Sequence, residues 1–576
     1  MTFDKDIVFV IDKQDYLLVF EKPIFEVSAE QIEDVEENLK FVDDLIREGF
    51  YICGFMTYEA GYPILKLSTR SVDNRIPIIW FGAFTKPKLV EVPNNRREYS
   101  ISNIHPSMTL EEYLKKVEEL KFYIKNGYTY QVNFTFKLLF DFEGDVLSFF
   151  LDLRSKQKVK YARFVKYHDT YILSVSPELF FLTKGNRIIS KPMKGTIRRG
   201  RFPEEDLELM KKLYTSEKNR AENLMITDLI RNDLGSISKF GSIKVKRIFE
   251  IEKYETVFQM TSTVEGILNK EVRFSEIISN IFPGGSITGA PKKKTVEIIS
   301  KLETLPRGIY TGTIGYISPK GFSEFNIAIR TPLIHKNKCE MGVGSGITWY
   351  SEAEEEYSEC ILKSHFLTSK PYPKFKLIET FLLKNHKLYL LDYHLKRLKM
   401  SAKFFSFRYN RRIILEKLKE IVKLDGKFRL RLLLEQNGDV TLEVREFEEP
   451  RKRGYVKVSK DRVDSNDKFI YHKTTNREMY DYYTRKARDE ELVDYIFLNE
   501  KGYVTEGTVN NLIIVRNGKL ITPIRTSGLL RGTMLEYLSR KYKITEEFIT
   551  LSDLMASERV FLCNSVSGLK EVKIIT

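Results

Sequence analysis

Two groups of residues in this sequence have types and spacings that could do chemistry. In the first group, Glu356 and Glu359 are three residues apart and Lys363 lies four residues further on. On a helix these three side chains would share one face. Glu222 occurs in another stretch with helical spacing. Because carboxylate oxygens suit Mg²⁺, which often bridges to a substrate anion, the three glutamates form a candidate Mg²⁺ site.

The residues around these charges could hold a ligand that carries carboxylates. Backbone N–H groups of Gly344–Gly346 could approach a carboxylate closely. Arg330 could bind a second carboxylate through two parallel hydrogen bonds, and Tyr310 could donate another. Lys194, if removed from water, would lose its proton more readily and become a nucleophile. Taken singly, Lys194 is more typical of a solvated turn, and Glu352–Glu356 of an exposed acidic helix face.

The second group lies near the C-terminal end and suits pyridoxal phosphate. Lys473 could form a Schiff base, and Glu506, 33 residues later, could keep the ring nitrogen protonated so that the ring accepts electrons. Gly532 and Thr533 open a stretch with helical spacing, and a helix N-terminus suits a phosphate group. Arg397 would add a positive charge there.

The spacing of apolar residues predicts the elements that position both groups. Helices are predicted over 30–48, 110–126, 204–233, 273–281, 392–405, 477–490 and 530–541. Strands are predicted over 130–139, 171–175, 243–251, 377–383, 428–434 and 440–444. Residues 367–375 contain two prolines and no periodicity, which indicates a linker. We therefore expect an α+β multidomain chain: a domain over 1–368 (an N-terminal region over 1–104 and a catalytic core over 105–368), a linker 369–375 and a second domain 376–576.

Composition narrows the class of protein. The 576 residues are 42% hydrophobic and carry a formal charge of +15. Residues 371–576 hold 41 basic and 28 acidic side chains and therefore carry +13 of that charge. No stretch is long and apolar enough to span a membrane, and the N-terminus has no secretory signal pattern. The four cysteines are scattered without a CxxC pair, so we expect a reducing, cytoplasmic location. The basic balance leaves a nucleic-acid-binding protein as an alternative, although dense basic clusters such as Arg451-Lys452-Arg453 are short.

The first group belongs to a set of motifs that resembles the chorismate-utilising enzymes. The motifs occur in the order 191–196, 218–233, 283–292, 307–312 and 326–363, and the likeness covers most of 105–368. Residues 1–100 resemble the start of component I of the aminodeoxychorismate synthases. The resemblance implies an anthranilate synthase component I-like β-sandwich with helices, and Mg²⁺ held by Glu222, Glu356 and Glu359. It also implies chorismate contacts from Gln131, Thr288, Tyr310, Arg330, Gly344, Ser345, Gly346 and Lys363.

Two positions select the reaction within that family. Members that add water to chorismate carry a lysine where this chain has Gln131, so isochorismate and salicylate formation are disfavoured. Anthranilate synthases carry alanine where this chain has Lys194, whereas aminodeoxychorismate synthases have lysine in a Pro-x-Lys-Gly-Thr motif. The family mechanism implies that Lys194 attacks chorismate C2 and that ammonia then adds at C4, giving 4-amino-4-deoxychorismate. The chain departs from many relatives at Gln259, where they carry histidine, and at Asn219, where they carry an acid.

The second group resembles the fold-type IV pyridoxal phosphate enzymes, which include branched-chain and D-amino-acid aminotransferases and aminodeoxychorismate lyase. The His394-x-x-Arg397-Leu398 motif, the spacing from Lys473 to Glu506 and the Gly-Thr turn carry the likeness. Lys473-x-x-Asn476-Arg477 is closer to the lyases. The lyase reaction would use Lys473 to remove the C4 proton and would release pyruvate and 4-aminobenzoate, a folate precursor. The usual N-terminal hairpin before Glu379 is absent.

These resemblances imply partners and leave alternatives. None of the four cysteines lies in a glutaminase-like elbow, so we expect a separate glutamine amidotransferase subunit to supply ammonia. We expect a homodimer through the C-terminal domain, and neither a nucleic acid nor a membrane as partner. The nearest alternative is an anthranilate synthase with an appended aminotransferase, which Lys194 disfavours. A scaffold with inactive sites is disfavoured because Lys194, Lys473 and Glu506 are all present.

Overall fold

The computed structural model describes residues 5–68, 71–93, 95–157, 159–270, 272–369, 373–448 and 453–575. The chain divides into two compact units. The first comprises Met1–Arg198 and Met210–Tyr372, and the second comprises Arg199–Leu209 and Pro373–Thr576. Residues 370–372 of the expected linker, and Arg451 and Lys452 of the basic cluster, lie outside the described residues.

Up to residue 369, the described chain contains runs of strands with helices between them. The strands are β1 (Ile7–Asp12), β2 (Tyr16–Glu21), β3 (Phe25–Ala29), β4 (Tyr51–Met56), β5 (Ile79–Phe84), β6 (Lys88–Glu91), β7 (Tyr99–Pro106), β8 (Gln131–Gly144), β9 (Tyr161–Tyr167), β10 (Thr170–Ser176), β11 (Leu179–Lys184), β12 (Arg187–Lys191), β13 (Met193–Arg198), β14 (Lys244–Lys253), β15 (Val257–Ile267), β16 (Gly289–Ala290), β17 (Thr313–Ile317), β18 (Ser323–Ile327), β19 (Pro332–His335) and β20 (Lys338–Ile347). The helices are α1 (Val35–Arg47), α2 (Gly61–Ile64), α3 (Leu110–Lys125), α4 (Val146–Gln157), α5 (Pro203–Thr215), α6 (Glu217–Gly235), α7 (Phe274–Ile281), α8 (Lys292–Leu302) and α9 (Ala353–Leu362).

Two antiparallel sheets form the first unit. Within the described residues, one sheet has the strand order β16-β8-β20-β19-β10-β9-β1-β2-β6, with β7 also paired to β8. The other has the order β13-β15-β12-β11-β18-β17-β4-β5-β3, with β14 also paired to β15. Strands such as β1, whose residues are all buried, supply the apolar core. The topology sets β13, which carries Lys194, at one edge of its sheet, and β8 beside β20 near the edge of the other.

Local signals explain where the helices of the site begin and end. The predicted helix at 110–126 is α3, which starts at a capping box formed by Thr109 and Glu112. The single helix predicted over 204–233 is wrong, because the structure has two helices there, α5 and α6. The Ser216 side chain caps α6 by accepting a hydrogen bond from Asn219 N, which starts a new helix.

The described chain from residue 373 onwards forms a second set of elements. The strands are β21 (Leu377–Lys384), β22 (Lys387–Leu388), β23 (Lys427–Leu434), β24 (Val440–Glu446), β25 (Arg453–Val463), β26 (Asp494–Asn499), β27 (Val504–Gly507), β28 (Asn511–Arg516), β29 (Lys519–Pro523), β30 (Ile544–Glu547), β31 (Arg559–Asn564) and β32 (Gly568–Ile575). The helices are α10 (Leu391–Phe405), α11 (Arg411–Ile421), α12 (Glu478–Asp489), α13 (Thr533–Lys541) and α14 (Leu551–Met555).

The second unit also contains two sheets. In the portion of the chain that the structure describes, β22-β21-β23-β24 form an antiparallel sheet, and β27-β26-β25-β32-β31-β28-β29-β30 form a mixed one. Lys473 follows a short 3₁₀ turn, Lys468–Tyr471, and Glu506 lies on β27. Among the helices in the described ranges, none is long and apolar enough to cross a membrane.

Two candidate active sites

Lys194, Gln131 and Gly346 meet in the first unit, on three different strands. A Cβ atom added at Gly346 would lie 2.7 Å from Lys194 Nζ and 2.3 Å from Gln131 Nε2. A glycine at this position of β20 therefore leaves room for both side chains where they lie. Gln131 is 1% exposed, and its Oε1 has no hydrogen-bond partner within the described structure. A buried amide oxygen without a partner is costly, so it is suited to accept a hydrogen bond from a ligand.

Charged groups surround Lys194 on several sides. Removal from water lowers the pKa of the Lys194 ammonium, and repulsion from Lys363 lowers it further. The negative charge of Glu222 raises this pKa but does not reverse the shift. Lys363 Nζ is 2.7 Å from Glu359 Oε1 and donates a hydrogen bond to Gly344 O at 3.0 Å. The predicted shared helix face of Glu356, Glu359 and Lys363 thus brings α9 against β20.

Glu178, which no sequence motif indicated, is a buried acid that interacts electrostatically with Lys194. Glu178 is 4% exposed and accepts a hydrogen bond from Ser286 Oγ at 2.6 Å. Burial raises the pKa of Glu178 to about 7, against that hydrogen bond and the attraction of Lys194. A carboxyl group with such a pKa can deliver a proton near neutral pH. The Ser176-Pro177-Glu178 step between two buried strands was the available signal.

The three glutamates predicted to bind Mg²⁺ have suitable oxygen atoms but do not form one cluster. Burial raises the pKa of Glu222, against the attraction of Lys194 and Lys218, and Glu356 and Glu359 raise it further. The three therefore interact electrostatically. In the described residues, however, no three His, Cys, Asp or Glu side chains converge as metal ligands. The oxygen donors suit the ion. Because they do not converge as a preformed site, we derive no reaction step through Mg²⁺.

The remaining predicted substrate contacts differ in their surroundings. Arg330, after β18, contacts Gln157, and burial lowers its pKa while only Tyr254 opposes the shift. The Arg330 guanidinium is thus buried against an amide, and its charge is suited to an anionic ligand. Tyr310 is buried with its ring against Gly342. Ser345 Oγ lies 3.3 Å from Tyr113 Oη, and the Thr288 hydroxyl donates to Gly284 O, so the latter faces the backbone.

Both departures from relatives are accommodated beside Lys194. Gln259 Oε1 accepts a hydrogen bond from Thr196 Oγ1 at 3.0 Å. Asn219 lies against Gly195, where an added Cβ would be 3.0 Å from Asn219 Oδ1. Gly195 has φ +90°, a conformation that favours glycine. The two amides thus support the turn that follows Lys194.

In the second unit, all five residues predicted to hold the cofactor line one cavity of about 630 Å³. They are Arg397, Lys473, Glu506, Gly532 and Thr533. Burial lowers the pKa of Lys473 to about 7, and repulsion from Arg477 and Arg397 lowers it further. A neutral amine at this pKa is a competent nucleophile and base near neutral pH.

Glu506 and the start of α13 are joined through Asn511. Glu506 accepts hydrogen bonds from Leu530 N at 3.0 Å and Asn511 Nδ2 at 3.1 Å. Asn511 Oδ1 in turn accepts from Gly532 N at 2.9 Å, and a Cβ at Gly532 would lie only 2.0 Å from that oxygen. Burial raises the pKa of Glu506 to about 8. A cationic ring nitrogen beside Glu506 would favour its ionised form.

Arg397 is held by a buried acid that sequence reasoning did not assign. Its Nε and one terminal nitrogen donate to Glu379 at 3.0 and 2.7 Å. His394 Nδ1 is 2.6 Å from Glu379, and His394 Nε2 is 3.3 Å from Thr533 Oγ1. Arg397 and His394 hold the pKa of Glu379 at about 2 despite its burial. This chain of contacts orients Thr533 at the N-terminus of α13, where a phosphate is expected.

Comparison with known proteins agrees with the two units. The model of the chorismate binding enzyme family matches residues 10–369. The chain belongs to the chorismate-binding enzymes. The model of the class IV aminotransferases matches residues 376–575, so the predicted order of an anthranilate synthase-like domain and a fold-type IV domain is confirmed. Anthranilate synthase component I of Streptococcus pneumoniae TIGR4 has the same fold over 64% of this chain and 93% of its own, with a TM-score of 0.54 and 24% identity.

Curated relatives include both kinds of synthase. The chloroplastic aminodeoxychorismate synthase of Arabidopsis thaliana is 37% identical over 341 residues, 58% of this chain and 35% of that protein. Aminodeoxychorismate synthase component 1 of Escherichia coli is 38% identical over 258 residues, 45% of this chain and 57% of that protein. Anthranilate synthase component 1 of Saccharolobus solfataricus is 38% identical over 262 residues, 46% of this chain and 62% of that protein. The chain thus spans between about a third and three fifths of the length of these relatives, and identity alone does not separate the two reactions.

Proposed function

We propose that this chain converts chorismate and ammonia to 4-amino-4-deoxychorismate in its first unit and converts that product to 4-aminobenzoate and pyruvate in its second. The first of these two reactions is supported above all by one observation, the close approach of the Lys194 and Gln131 side chains at Gly346. A lysine whose pKa is lowered projects into the site, and no second lysine stands at position 131 to activate water. The combination favours attack by an amine over hydration.

The first reaction needs a nucleophile and an acid. In the proposed step, the lone pair of neutral Lys194 forms a bond to chorismate C2, the ring double bonds shift, and the C4–O bond breaks. Glu178, protonated below about pH 7, gives its proton to the departing hydroxide, which leaves as water. Ammonia then adds at C4 and gives a proton back to the Glu178 carboxylate, the ring double bonds shift back, and the C2–N bond breaks to release Lys194 as a neutral amine. Arg330 and the Lys363–Gly344 region would hold the substrate carboxylates.

We include Mg²⁺ in the proposal because the protein offers carboxylate ligands that suit this ion. Glu222, Glu356 and Glu359 offer the oxygen ligands that the ion prefers. Glu359 is paired with Lys363 at 2.7 Å, so we expect binding of the ion together with substrate to replace that ion pair.

For the second reaction, the residues of the 630 Å³ cavity fit pyridoxal phosphate, which when bound would supply an electron sink. Lys473 would hold the cofactor and then take the proton from C4 of the substrate, as its pKa near 7 allows. Glu506 would face the ring nitrogen, and Thr533 with the N–H groups at the start of α13 would bind the phosphate. Loss of the C4 proton and of pyruvate makes the product ring aromatic, which favours release.

Ammonia would come from a separate glutamine amidotransferase. All four cysteines are buried, and burial raises the pKa of each thiol, whereas a catalytic cysteine needs a lowered one. A homodimer through the second unit and a cytoplasmic location stay predictions.

Product analysis tests the proposal. Purified protein is given chorismate, an ammonium salt, Mg²⁺ and pyridoxal phosphate, and products are separated and identified. We expect 4-aminobenzoate and pyruvate in equal amounts. Anthranilate would instead support the alternative of an anthranilate synthase with an appended aminotransferase, and unchanged chorismate would refute both.

A further inference from the structure

The segment Arg199–Leu209 follows β13 in the chain but packs within the second unit. A buried ion pair joins Arg199, at the start of the segment, to Asp206 near its end. Arg199 Nε lies 2.8 and 3.0 Å from the two carboxylate oxygens of Asp206, and Gly200 N donates to the same carboxylate at 2.7 Å. Arg199 and Asp206 are 8% and 9% exposed. Such a pair fixes the shape of the segment, because losing one partner leaves a buried charge.

The Arg199 guanidinium also attaches the segment to α10. It donates to Phe404 O at 3.2 Å and lies 4.7 Å from the centre of the Phe404 ring. The same ring packs against His472, at 4.4 Å between ring centres. His472 is 5% exposed and lies 2.9 Å from Ser401 Oγ through Nδ1. The residue directly before Lys473 is therefore packed against a ring that the segment contacts.

Phe202 inserts the segment into the core beside Tyr471. Phe202 is 8% exposed and belongs to a buried cluster with Ile470, Tyr471, Tyr480 and Phe497. Its ring centre is 5.1 Å from that of Tyr471. On the other side, the Arg525 guanidinium lies 4.3 Å from the Phe202 ring and donates to Glu204 at 2.7 Å. Phe202 thus fills the space behind the turn that leads to Lys473.

Arg201 and Tyr471 share two acceptors. Tyr471 Oη donates to Ser465 O at 2.7 Å and lies 3.4 Å from Thr526 O. Arg201 Nη1 lies 3.2 Å from the first carbonyl and 3.4 Å from the second. The Arg201 guanidinium is also 5.5 Å from the Tyr471 ring centre. Backbone groups from two loops are thereby joined to the residue two positions before Lys473.

The segment also forms a wall near the expected phosphate position. A small cavity of about 70 Å³ is lined by Pro203 and Glu204 of the segment together with Arg397, His472 and Thr533. The segment therefore reaches both the backbone that carries the lysine and the residues at the start of α13.

We propose that the segment Arg199–Leu209 is a positioning element of the second active site, which sets the Tyr471–Lys473 backbone and the wall beside Arg397 and Thr533. Residues 376–576 therefore do not form the whole surroundings of this active site. The segment Arg199–Leu209, which precedes α6 in the chain, provides the rest. The proposal rests on the proposed function insofar as Lys473 holds the cofactor.

The test uses the full-length chain and Phe202→Ala. Removing the ring leaves a cavity behind Tyr471, and a displacement of about 1 Å at a reacting group can cost ~100-fold in rate. We expect at least about a 10-fold weaker dissociation constant for pyridoxal phosphate and a shifted pH midpoint of its visible absorbance. Turnover of supplied 4-amino-4-deoxychorismate should fall, and consumption of chorismate should stay at the wild-type rate.

Three further variants make the test specific. Phe202→Leu should recover most of the cofactor affinity, because it refills the cavity. Leu207→Ala, at a residue of the same segment that is 60% exposed, should behave as the wild type. Arg201→Ala leaves the core intact and should still shift the absorbance midpoint. The proposal can therefore be tested with this variant even if Phe202→Ala does not fold.

Two results would overturn the inference, and they differ from each other. Wild-type affinity and an unshifted midpoint in both Phe202→Ala and Arg201→Ala would refute the positioning role alone. A wild-type chain that binds no pyridoxal phosphate would refute the proposed function of the second unit together with this inference.

Discussion

Gly346→Ala is the most informative single substitution in the first unit. The new methyl group would lie 2.7 Å from Lys194 Nζ and 2.3 Å from Gln131 Nε2, whereas ordinary contacts begin near 3.4 Å. Lys194 must therefore move by about 0.7 Å and Gln131 by about 1.1 Å, and both can do so because the atoms are the ends of flexible side chains. The fold should survive, and the nucleophile should be misplaced.

A misplacement of this size is expected to reduce kcat/KM for chorismate by about 10- to 100-fold, or ~1.4–2.7 kcal/mol of transition-state stabilisation. Initial rates of chorismate consumption with saturating ammonium give the value, and thermal unfolding reports the fold. Gly235→Ala is the matched control, because no atom lies within 4 Å of its added Cβ. Wild-type kcat/KM in Gly346→Ala would show that Lys194 and Gln131 do not act from these positions.

Three more predictions follow from the two sites. Lys473→Ala should have no visible absorbance from bound pyridoxal phosphate and should accumulate 4-amino-4-deoxychorismate; continued release of 4-aminobenzoate would contradict the role of Lys473. Because burial raises the pKa of Glu178 to about 7, its acid form is present below that pH and lost above it, so the rate of the first reaction should fall as pH rises through 7, and Glu178→Gln should lose this limb of the profile. Chelation of Mg²⁺ should stop chorismate consumption and leave turnover of supplied 4-amino-4-deoxychorismate unchanged; an equal loss of both would place the metal requirement elsewhere.

Local patterns were sufficient to predict some elements of the fold. The spacing of Glu356, Glu359 and Lys363 predicted a shared helix face, and the 2.7 Å Glu359–Lys363 contact agrees with it for those two residues. The Gly-Thr step at 532–533 predicted a helix N-terminus, and α13 begins at Thr533 with Gly532 as its N-cap. These features depend on neighbours within a few residues, which a sequence displays directly.

The features that were missed depend on residues far apart in the chain. Glu178 becomes a candidate acid only because Ser286 and Lys194 approach it from other segments. The roles of Glu379 and Asn511 emerge only from their contacts with Arg397 and Gly532. Residues 199–209 lie within the first domain expected from the sequence, and only their packing assigns them to the second unit. Burial and pairing of this kind are decided by tertiary structure, which periodicity does not encode.

The central claim, two successive reactions at separate lysines of one chain, is tested most directly by mixing two inactive variants. Lys194→Ala and Lys473→Ala are each incubated with chorismate, ammonium, Mg²⁺ and pyridoxal phosphate, separately and together, and 4-aminobenzoate is measured. We predict none from either variant alone and its formation from the mixture, because the intermediate released by Lys473→Ala is consumed by Lys194→Ala. Formation of 4-aminobenzoate by either variant alone would contradict the assignment of the lysines. So would its absence from a mixture in which the intermediate accumulates.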